Sequence, residues 1–154
     1  MNENYIQGLR KIIGHQPLIL VFAGGILRNT DGAILLQQRS DSRLWGFPGG
    51  MLQYGESTRH AVIREFQEET GLLTKVTGLL GTTSDFIAHY PNSDVAQTVG
   101  IIFEMQLVSG QLNADNDETN SLRWFSLKDH PQLFNSQAEI IWKHLQQFDI
   151  PFYD

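Results

Sequence analysis

The sequence predicts a single domain, residues 1–154, of the α/β class in its α+β form, with a mixed β-sheet between helices. Its 154 residues fit one domain, and 41% apolar residues are enough to bury one core. Strand-like segments fall into two groups, and helical patterns precede, separate and follow these groups. Because strands and helices do not alternate strictly, we expect a mixed sheet rather than a wholly parallel one.

The first half of the chain contains one helix and two strands by its pattern. Apolar residues recur at three- and four-residue spacing up to Gly14, which predicts an amphipathic helix over residues 3–14. Residues 17–28 and 33–38 are strand-like and are separated by an Asn-Thr-Asp-Gly turn, which predicts a β-hairpin. Residues 39–54 hold several closely spaced Gly and Pro residues, so we expect a shaped loop.

A central helix is predicted over residues 57–70, which contain no Gly or Pro. Ser57 can cap its start, and Gly71 stands where a glycine would end it. The remaining predicted elements are strands over 72–89, 95–107 and 122–127, a turn over 90–94 and a closing helix over about 137–147.

Composition limits the partners of the chain. The net charge is −6, so there is no basic field to hold DNA or another long polynucleotide. An acidic protein that acts on an anionic substrate needs local positive charge from a few basic residues or from metal ions. The lack of cysteine fits a reducing cytosol, so we expect a cytoplasmic protein. The longest apolar stretch, residues 18–27, is about half of a bilayer span, so we expect no membrane partner.

Three glutamates, Glu65, Glu68 and Glu69, fall on one face of the predicted central helix. Ordinary solvated glutamates are the commonplace alternative. However, Glu65 repels Glu69 at i,i+4, and Glu68 and Glu69 lie near the negative end of the helix dipole. The group therefore needs a counter-charge, and an oxygen-preferring divalent cation such as Mg²⁺ would provide it.

The surrounding residues form a longer pattern. Five residues separate Gly50 from Glu56, and seven more lead to the run REFQEETGL at residues 64–72. This loop–helix–loop resembles the 23-residue signature of the Nudix (MutT-like) hydrolases. The single departure is Phe66, at a packing position where the family usually has an aliphatic residue. The resemblance covers about residues 18–127, but only residues 50–72 are highly specific.

The resemblance implies an αβα sandwich and a pyrophosphatase activity that depends on magnesium. Such an enzyme cleaves a phosphoanhydride bond in a nucleoside diphosphate linked to another group. Nucleoside triphosphates, nucleotide sugars and dinucleoside polyphosphates are the substrate classes left open. Nudix domains often form homodimers, so a homodimer is allowed.

The family's site residues can be assigned to positions in this chain. By resemblance Glu65, Glu68 and Glu69 bind Mg²⁺, or Mn²⁺ as the alternative ion, and the Gly50 carbonyl can join them. Arg64 is expected to orient a glutamate through a salt bridge.

Two glutamates have open roles. Glu56 is either an outer metal ligand or a structural acceptor. Glu118 matches a position that supplies a catalytic glutamate in some members, and a glutamate of residues 50–72 is the other candidate for the general base.

Candidate substrate contacts lie outside the signature. Arg28 and Arg39 stand near strand ends and are expected to contact phosphates, with a solvated arginine as the alternative. Tyr90, eighteen residues past Leu72, resembles a mark of dinucleoside polyphosphate hydrolases, and Pro91 blurs that distinction. The competing function is a catalytically weak Nudix-fold module that binds or senses nucleotides. Such modules commonly lose signature glutamates, and this chain retains them.

Overall fold

The computed structural model describes residues 5–154, and its elements follow the predicted order closely. The elements are α1 (Tyr5–Ile13), β1 (Leu18–Leu27), β2 (Ile34–Arg39), β3 (Trp45–Gly46), β4 (Gly49–Met51), α2 (Thr58–Thr70), β5 (Leu72–Thr83), β6 (Ile87–His89), β7 (Val95–Gly110), β8 (Thr119–Phe125) and α3 (Ser136–Gln147). Positions 3 and 4 of the helix predicted over 3–14 lie outside the described residues. The predicted loop over 39–54 contains the short strands β3 and β4.

The strands form two sheets. The larger has the order β4-β1-β7-β5, with β6 also paired to β7; β1 and β7 run parallel and the other pairs are antiparallel. This confirms the predicted mixed sheet. The smaller sheet has the order β3-β2-β8 and is antiparallel. The predicted hairpin between β1 and β2 is wrong beyond its turn, because each strand pairs with distant strands and the two share only an Arg28–Ile34 bridge.

Helices α2 and α3 are held by separate groups of buried apolar residues. In α2, Val62 and Phe66 pack with residues of β1, β2 and β7. In α3, Ile141, Trp142 and Leu145 pack in the other group. Each fully buried side chain of this size contributes about 1.5–3 kcal/mol through burial. The acidic face of α2 is thereby fixed relative to both sheets.

The ends of α2 are capped as predicted. The Ser57 side chain accepts a hydrogen bond from the backbone N–H of His60 at 3.2 Å, and such a cap contributes about 1 kcal/mol. Gly71 ends the helix in the left-handed conformation, with φ 73°, and its N–H donates to the Gln67 carbonyl. The last turn, which carries Glu68 and Glu69, is therefore well defined.

The predicted turn over 90–94 is also present. The N–H of Tyr90 donates to the carbonyl of Asp94 at 2.9 Å, and the N–H of Ser93 donates to that of Tyr90 at 3.0 Å. Within residues 5–154, no helix has the length and apolar character needed to cross a membrane.

Candidate active site

Two cavities meet beside the acidic face of α2. One, of about 190 Å³, is lined by Glu65, Glu68, Glu69, Asn116, Asp117 and Glu118. The other, of about 250 Å³, is lined by Gln37, Arg39, Ser40, Asp41, Glu69 and Glu118. Because Glu69 and Glu118 border both, the cavities form one cleft. The structure thus brings together the glutamates predicted on α2 and the loop glutamate.

Glu69 is the most enclosed carboxylate of the cleft, with 5% of its surface exposed. Its Oε1 accepts a hydrogen bond from Gln37 Nε2, and its Oε2 accepts one from the Gly49 N–H, both at 2.8 Å. Burial raises the pKa of Glu69 to about 8, and the two hydrogen bonds oppose that rise. The charges of Glu65 and Glu118 also contribute to this raised value. Glu69 therefore sits where a cation would be strongly favoured.

The surroundings of Glu69 include three residues that the sequence analysis missed. Thr119 Oγ1 lies 2.9 Å from Gln37 Oε1 and 3.1 Å from the Glu69 carbonyl, and its single hydroxyl hydrogen is shared between these two acceptors. Asn116 Nδ2 donates to the same carbonyl at 3.2 Å, and its Oδ1 accepts the Glu118 N–H at 3.0 Å. One signal was available for Gln37, since two-residue alternation places it on the same face of β2 as the buried Leu35.

Arg64 forms the centre of an ion-pair group beside the cleft. Its Nε and Nη2 donate to the two oxygens of Glu56 at 2.9 and 3.1 Å. Its Nη1 donates to Glu65 Oε1 at 2.7 Å and to Glu68 Oε2 at 3.3 Å. The pairing lowers the pKa of Glu56, whereas burial raises the pKa of Glu65 despite the same arginine. Glu56 does not line either cavity, and both of its carboxylate oxygens accept hydrogen bonds from Arg64.

Gly50 lies on β4 directly against the carboxylate of Glu65. A Cβ at this position would overlap both carboxylate oxygens and the carboxylate carbon of Glu65. Glycine is therefore required for this close approach of backbone and side chain. The backbone around the predicted Gly50 carbonyl ligand thus lies next to one of the predicted metal-binding carboxylates.

The predicted substrate contacts differ in their placement. Arg39 lines the larger cavity, pairs with Asp41 at 2.7 Å and lies 4.8 Å from the centre of the Phe134 ring. Burial raises the pKa of Tyr90, and the charge of Arg39 acts in the opposite direction. Tyr90 does not line either cavity. Arg28 instead pairs with Glu104 at 3.3 Å, and the structure does not bring it to either cavity.

Comparison with known proteins identifies the family. The NUDIX domain profile matches residues 20–147. The chain belongs to the Nudix family. It is 33% identical over 130 residues to an ADP-ribose pyrophosphatase of Methanocaldococcus jannaschii, a match that covers 82% of this chain and 73% of the relative. It is 35% identical over 101 residues to a putative 8-oxo-dGTP diphosphatase of Bacillus subtilis, covering 66% of this chain and 62% of the relative.

Solved Nudix structures share the fold. An ADP-ribose pyrophosphatase from Streptococcus suis matches with a TM-score of 0.65 and 22% identity, covering 88% of this chain and 96% of that one. A MutT protein from Methanosarcina mazei matches with a TM-score of 0.70 and 24% identity, covering 87% and 96%. The predicted Nudix fold is confirmed, and the family match with named pyrophosphatases and diphosphatases confirms the class of Nudix pyrophosphohydrolase.

Nudix hydrolases generally use divalent metal ions, and the cleft offers the donors that such ions prefer. Glu65, Glu68, Glu69 and Glu118 present carboxylate oxygens to one cavity. Within residues 5–154, however, no three acidic or histidine side chains are gathered closely enough to form a coordination sphere. Hydrogen bonds to Arg64, Gln37 and Gly49 occupy several of these oxygens. The donor chemistry fits a divalent ion, which would bind at the oxygen lone pairs that these hydrogen bonds do not use.

Proposed function

We propose that this chain is a Mg²⁺-dependent Nudix hydrolase that cleaves the phosphoanhydride bond of a nucleoside diphosphate linked to another group. One observation carries the proposal: Glu65, Glu68, Glu69 and Glu118 face one cavity, which adjoins a second cavity containing Arg39. A carboxylate cluster alone would repel a diphosphate. Together with a metal ion and an arginine, the same cleft suits a small anionic nucleotide.

The metal would be held by Glu65, Glu68 and Glu69, with the Gly50 carbonyl as a further donor and Mn²⁺ as an alternative ion. When bound, it supplies neutralisation of phosphate charge and activation of water. Arg64 holds Glu65 from the side through its Nη1, so the carboxylate is oriented before any ligand arrives. In this proposal Glu56 anchors Arg64 rather than binding the metal.

Glu118 is the proposed general base. Its side chain borders both cavities, so it can take a proton from a water molecule placed between them. Its backbone is fixed on both sides, because its N–H donates to Asn116 and its carbonyl accepts the N–H of Ser40 at 2.9 Å. Glu65 is the alternative base from α2.

Replacing Glu118 tests this assignment. Glu118→Gln should lower kcat by about 100-fold or more, since a general base contributes about that much. The matched control is Glu139→Gln, which makes the same change on the exposed side of α3. If the kcat of Glu118→Gln is within about threefold of that of the control, Glu65 becomes the proposed general base.

The substrate we propose first is a nucleotide sugar of the ADP-ribose type. The support is the relative of Methanocaldococcus jannaschii, which is named an ADP-ribose pyrophosphatase and matches the chain over 130 residues. The 8-oxo-dGTP diphosphatase relative and Tyr90 keep nucleoside triphosphates and dinucleoside polyphosphates in the test panel. Arg39 is the proposed phosphate contact, and Tyr90 is a further proposed substrate contact.

Turnover of a substrate panel tests the function. Phosphate release, coupled to pyrophosphatase and phosphatase, is measured for ADP-ribose, other nucleotide sugars, nucleoside triphosphates and diadenosine polyphosphates in Mg²⁺ and in Mn²⁺. Strong turnover of one class supports the hydrolase and identifies the substrate. Nucleotide binding without turnover of any class, by a folded and metal-bound protein, would instead support the nucleotide-sensing module.

The remaining expectations concern the setting of the reaction. We propose that the chain acts on free nucleotides in the cytoplasm without a DNA partner, because its net charge is −6 and it has no cysteine. A homodimer is a possible assembly, since Nudix domains often form homodimers, and light scattering of the purified protein tests it.

A further inference from the structure

Gln37 is a buried amide on β2 that contacts the most enclosed carboxylate of the cleft. Only 3% of its surface is exposed, and its Nε2 donates to Glu69 Oε1 at 2.8 Å. Its Oε1 accepts from Thr119 Oγ1 on β8 at 2.9 Å. Glu69 is ionised when it binds a metal, and because an ionised carboxylate only accepts hydrogen bonds, the amide nitrogen of Gln37 then lies toward Glu69 and its oxygen toward Thr119.

We propose that Gln37, oriented by Thr119, is a positioning residue that holds the Glu69 carboxylate for metal binding. The inference rests on the proposed function, and it assigns a role to a residue outside the signature over 50–72. Gln37 itself does not need to touch the metal or the substrate. It acts through Glu69.

The two oxygens of Glu69 are fixed from two different strands. Gln37 on β2 holds Oε1, and the Gly49 N–H on β4 holds Oε2, both at 2.8 Å. These hydrogen bonds leave a second lone pair on each oxygen free to coordinate a metal ion. The carboxylate plane is therefore set before a metal arrives, which lowers the cost of ordering this ligand.

Packing alone does not explain an amide at this position. The neighbouring residues Leu35 and Leu36 are fully buried and apolar, and an apolar residue would fill the same strand without a need for partners. Partners that hydrogen-bond to metal ligands typically contribute about 10- to 100-fold to metal affinity or activity. A change at Gln37 should therefore be visible in metal binding itself.

The experiment compares Gln37→Met with Gln38→Met. Both remove an amide from β2 with similar side-chain volume, but Gln38 bonds the Arg43 carbonyl and Asn120 instead of Glu69. Mn²⁺ binding is measured by electron paramagnetic resonance without substrate, and kcat and KM are measured on the substrate that the wild type hydrolyses. Gln37→Met should weaken Mn²⁺ binding and lower kcat, each by about 10- to 100-fold, with KM nearly unchanged. Gln38→Met should match the wild type.

Each outcome decides. A folded Gln37→Met protein that binds Mn²⁺ and turns over substrate like Gln38→Met would overturn the inference. If Gln37→Met fails to fold, Thr119→Val takes its place, because it removes the hydroxyl that orients the Gln37 amide and keeps the side-chain volume. A loss of Mn²⁺ affinity smaller than the roughly 10- to 100-fold loss expected for Gln37→Met supports the inference. Wild-type Mn²⁺ affinity in Thr119→Val overturns it. A wild-type protein that binds Mn²⁺ but hydrolyses no substrate contradicts the proposed function. The role of Gln37 is then tested by the Mn²⁺ affinities of Gln37→Met and Gln38→Met alone.

Discussion

Arg64 binds both oxygens of Glu56, with Nε 2.9 Å from Oε1 and Nη2 3.1 Å from Oε2. The pair joins the loop before α2 to the middle of the helix. The same guanidinium reaches Glu65 through Nη1, so Glu56 determines where the arginine stands relative to the cleft. Because Glu56 acts on the cleft through Arg64, a structural role for Glu56 and a role in metal binding predict different effects of its replacement.

Replacing Glu56 should therefore affect stability more than metal binding. Glu56→Gln removes a two-point ion pair that is only partly exposed, and we expect a loss of about 1–2 kcal/mol in unfolding free energy. Because Arg64 lowers the pKa of Glu56, the pair stabilises the fold at neutral pH, and this contribution disappears as the pH falls below the ordinary carboxyl range. Urea unfolding measures the loss, and Mn²⁺ titration provides the comparison. A large drop in Mn²⁺ affinity with unchanged stability would make Glu56 an outer metal ligand.

Glu69→Gln should remove turnover while the fold remains intact. The amide keeps the shape of the side chain but loses the charge that a divalent ion requires. We expect kcat to fall by more than about 100-fold, beyond the range typical of residues that only support a ligand. Glu139→Gln on α3 is the control, and circular dichroism verifies folding. Near wild-type kcat in Glu69→Gln would show that Glu69 is not a metal ligand.

The stability of the metal-free protein should decrease as the pH rises toward 8. Burial raises the pKa of Glu69 from 4.5 in the ordinary case to about 8 in the fold. A carboxyl with a raised pKa in the folded state stabilises the fold fully below its unfolded pKa, and this stabilisation is lost as the pH rises through the folded value. Urea unfolding in EDTA between about pH 5 and pH 8 measures the slope. Glu69→Gln should flatten it, and equal slopes in the two proteins would contradict the assignment.

Gly50→Ala should impair activity with little effect on folding. The new Cβ would overlap the carboxylate of Glu65, which is the mobile end of a side chain and can move away. We expect a stability change within about 1 kcal/mol and a kcat lower by about 10- to 100-fold, because a displaced catalytic group is costly. The control is Gly78→Ala on β5, where a Cβ meets open space. Equal kcat values for the two variants would show that the position of Glu65 is not critical.

The elements of the fold and the glutamates of the site were largely predictable from sequence. Local signals were sufficient for α2, because Ser57 and Gly71 mark its ends and helical spacing places its glutamates together. The composition of residues 90–94 was likewise sufficient for the turn. These features depend on neighbours along the chain, which a sequence displays directly.

Partner choice between distant strands was not predictable. The turn between β1 and β2 suggested a hairpin, yet β1 pairs with β7 and β4, and β2 pairs with β3 and β8. The role of Gln37 was missed for the same reason, since its partners Glu69 and Thr119 are 32 and 82 residues away. Arg28 is the opposite case: the sequence suggested a phosphate contact, but in the structure this residue pairs with Glu104.

Glu69 joins four pieces of backbone that are remote along the chain. Its side chain holds β2 through Gln37 and β4 through Gly49, and its carbonyl accepts from Thr119 on β8. The last turn of α2 therefore cannot separate without breaking contacts to both sheets. Amide protons in β2, β4 and β8 around this residue should consequently exchange with solvent as one cooperative unit, and a bound ion should slow that exchange in all three strands together.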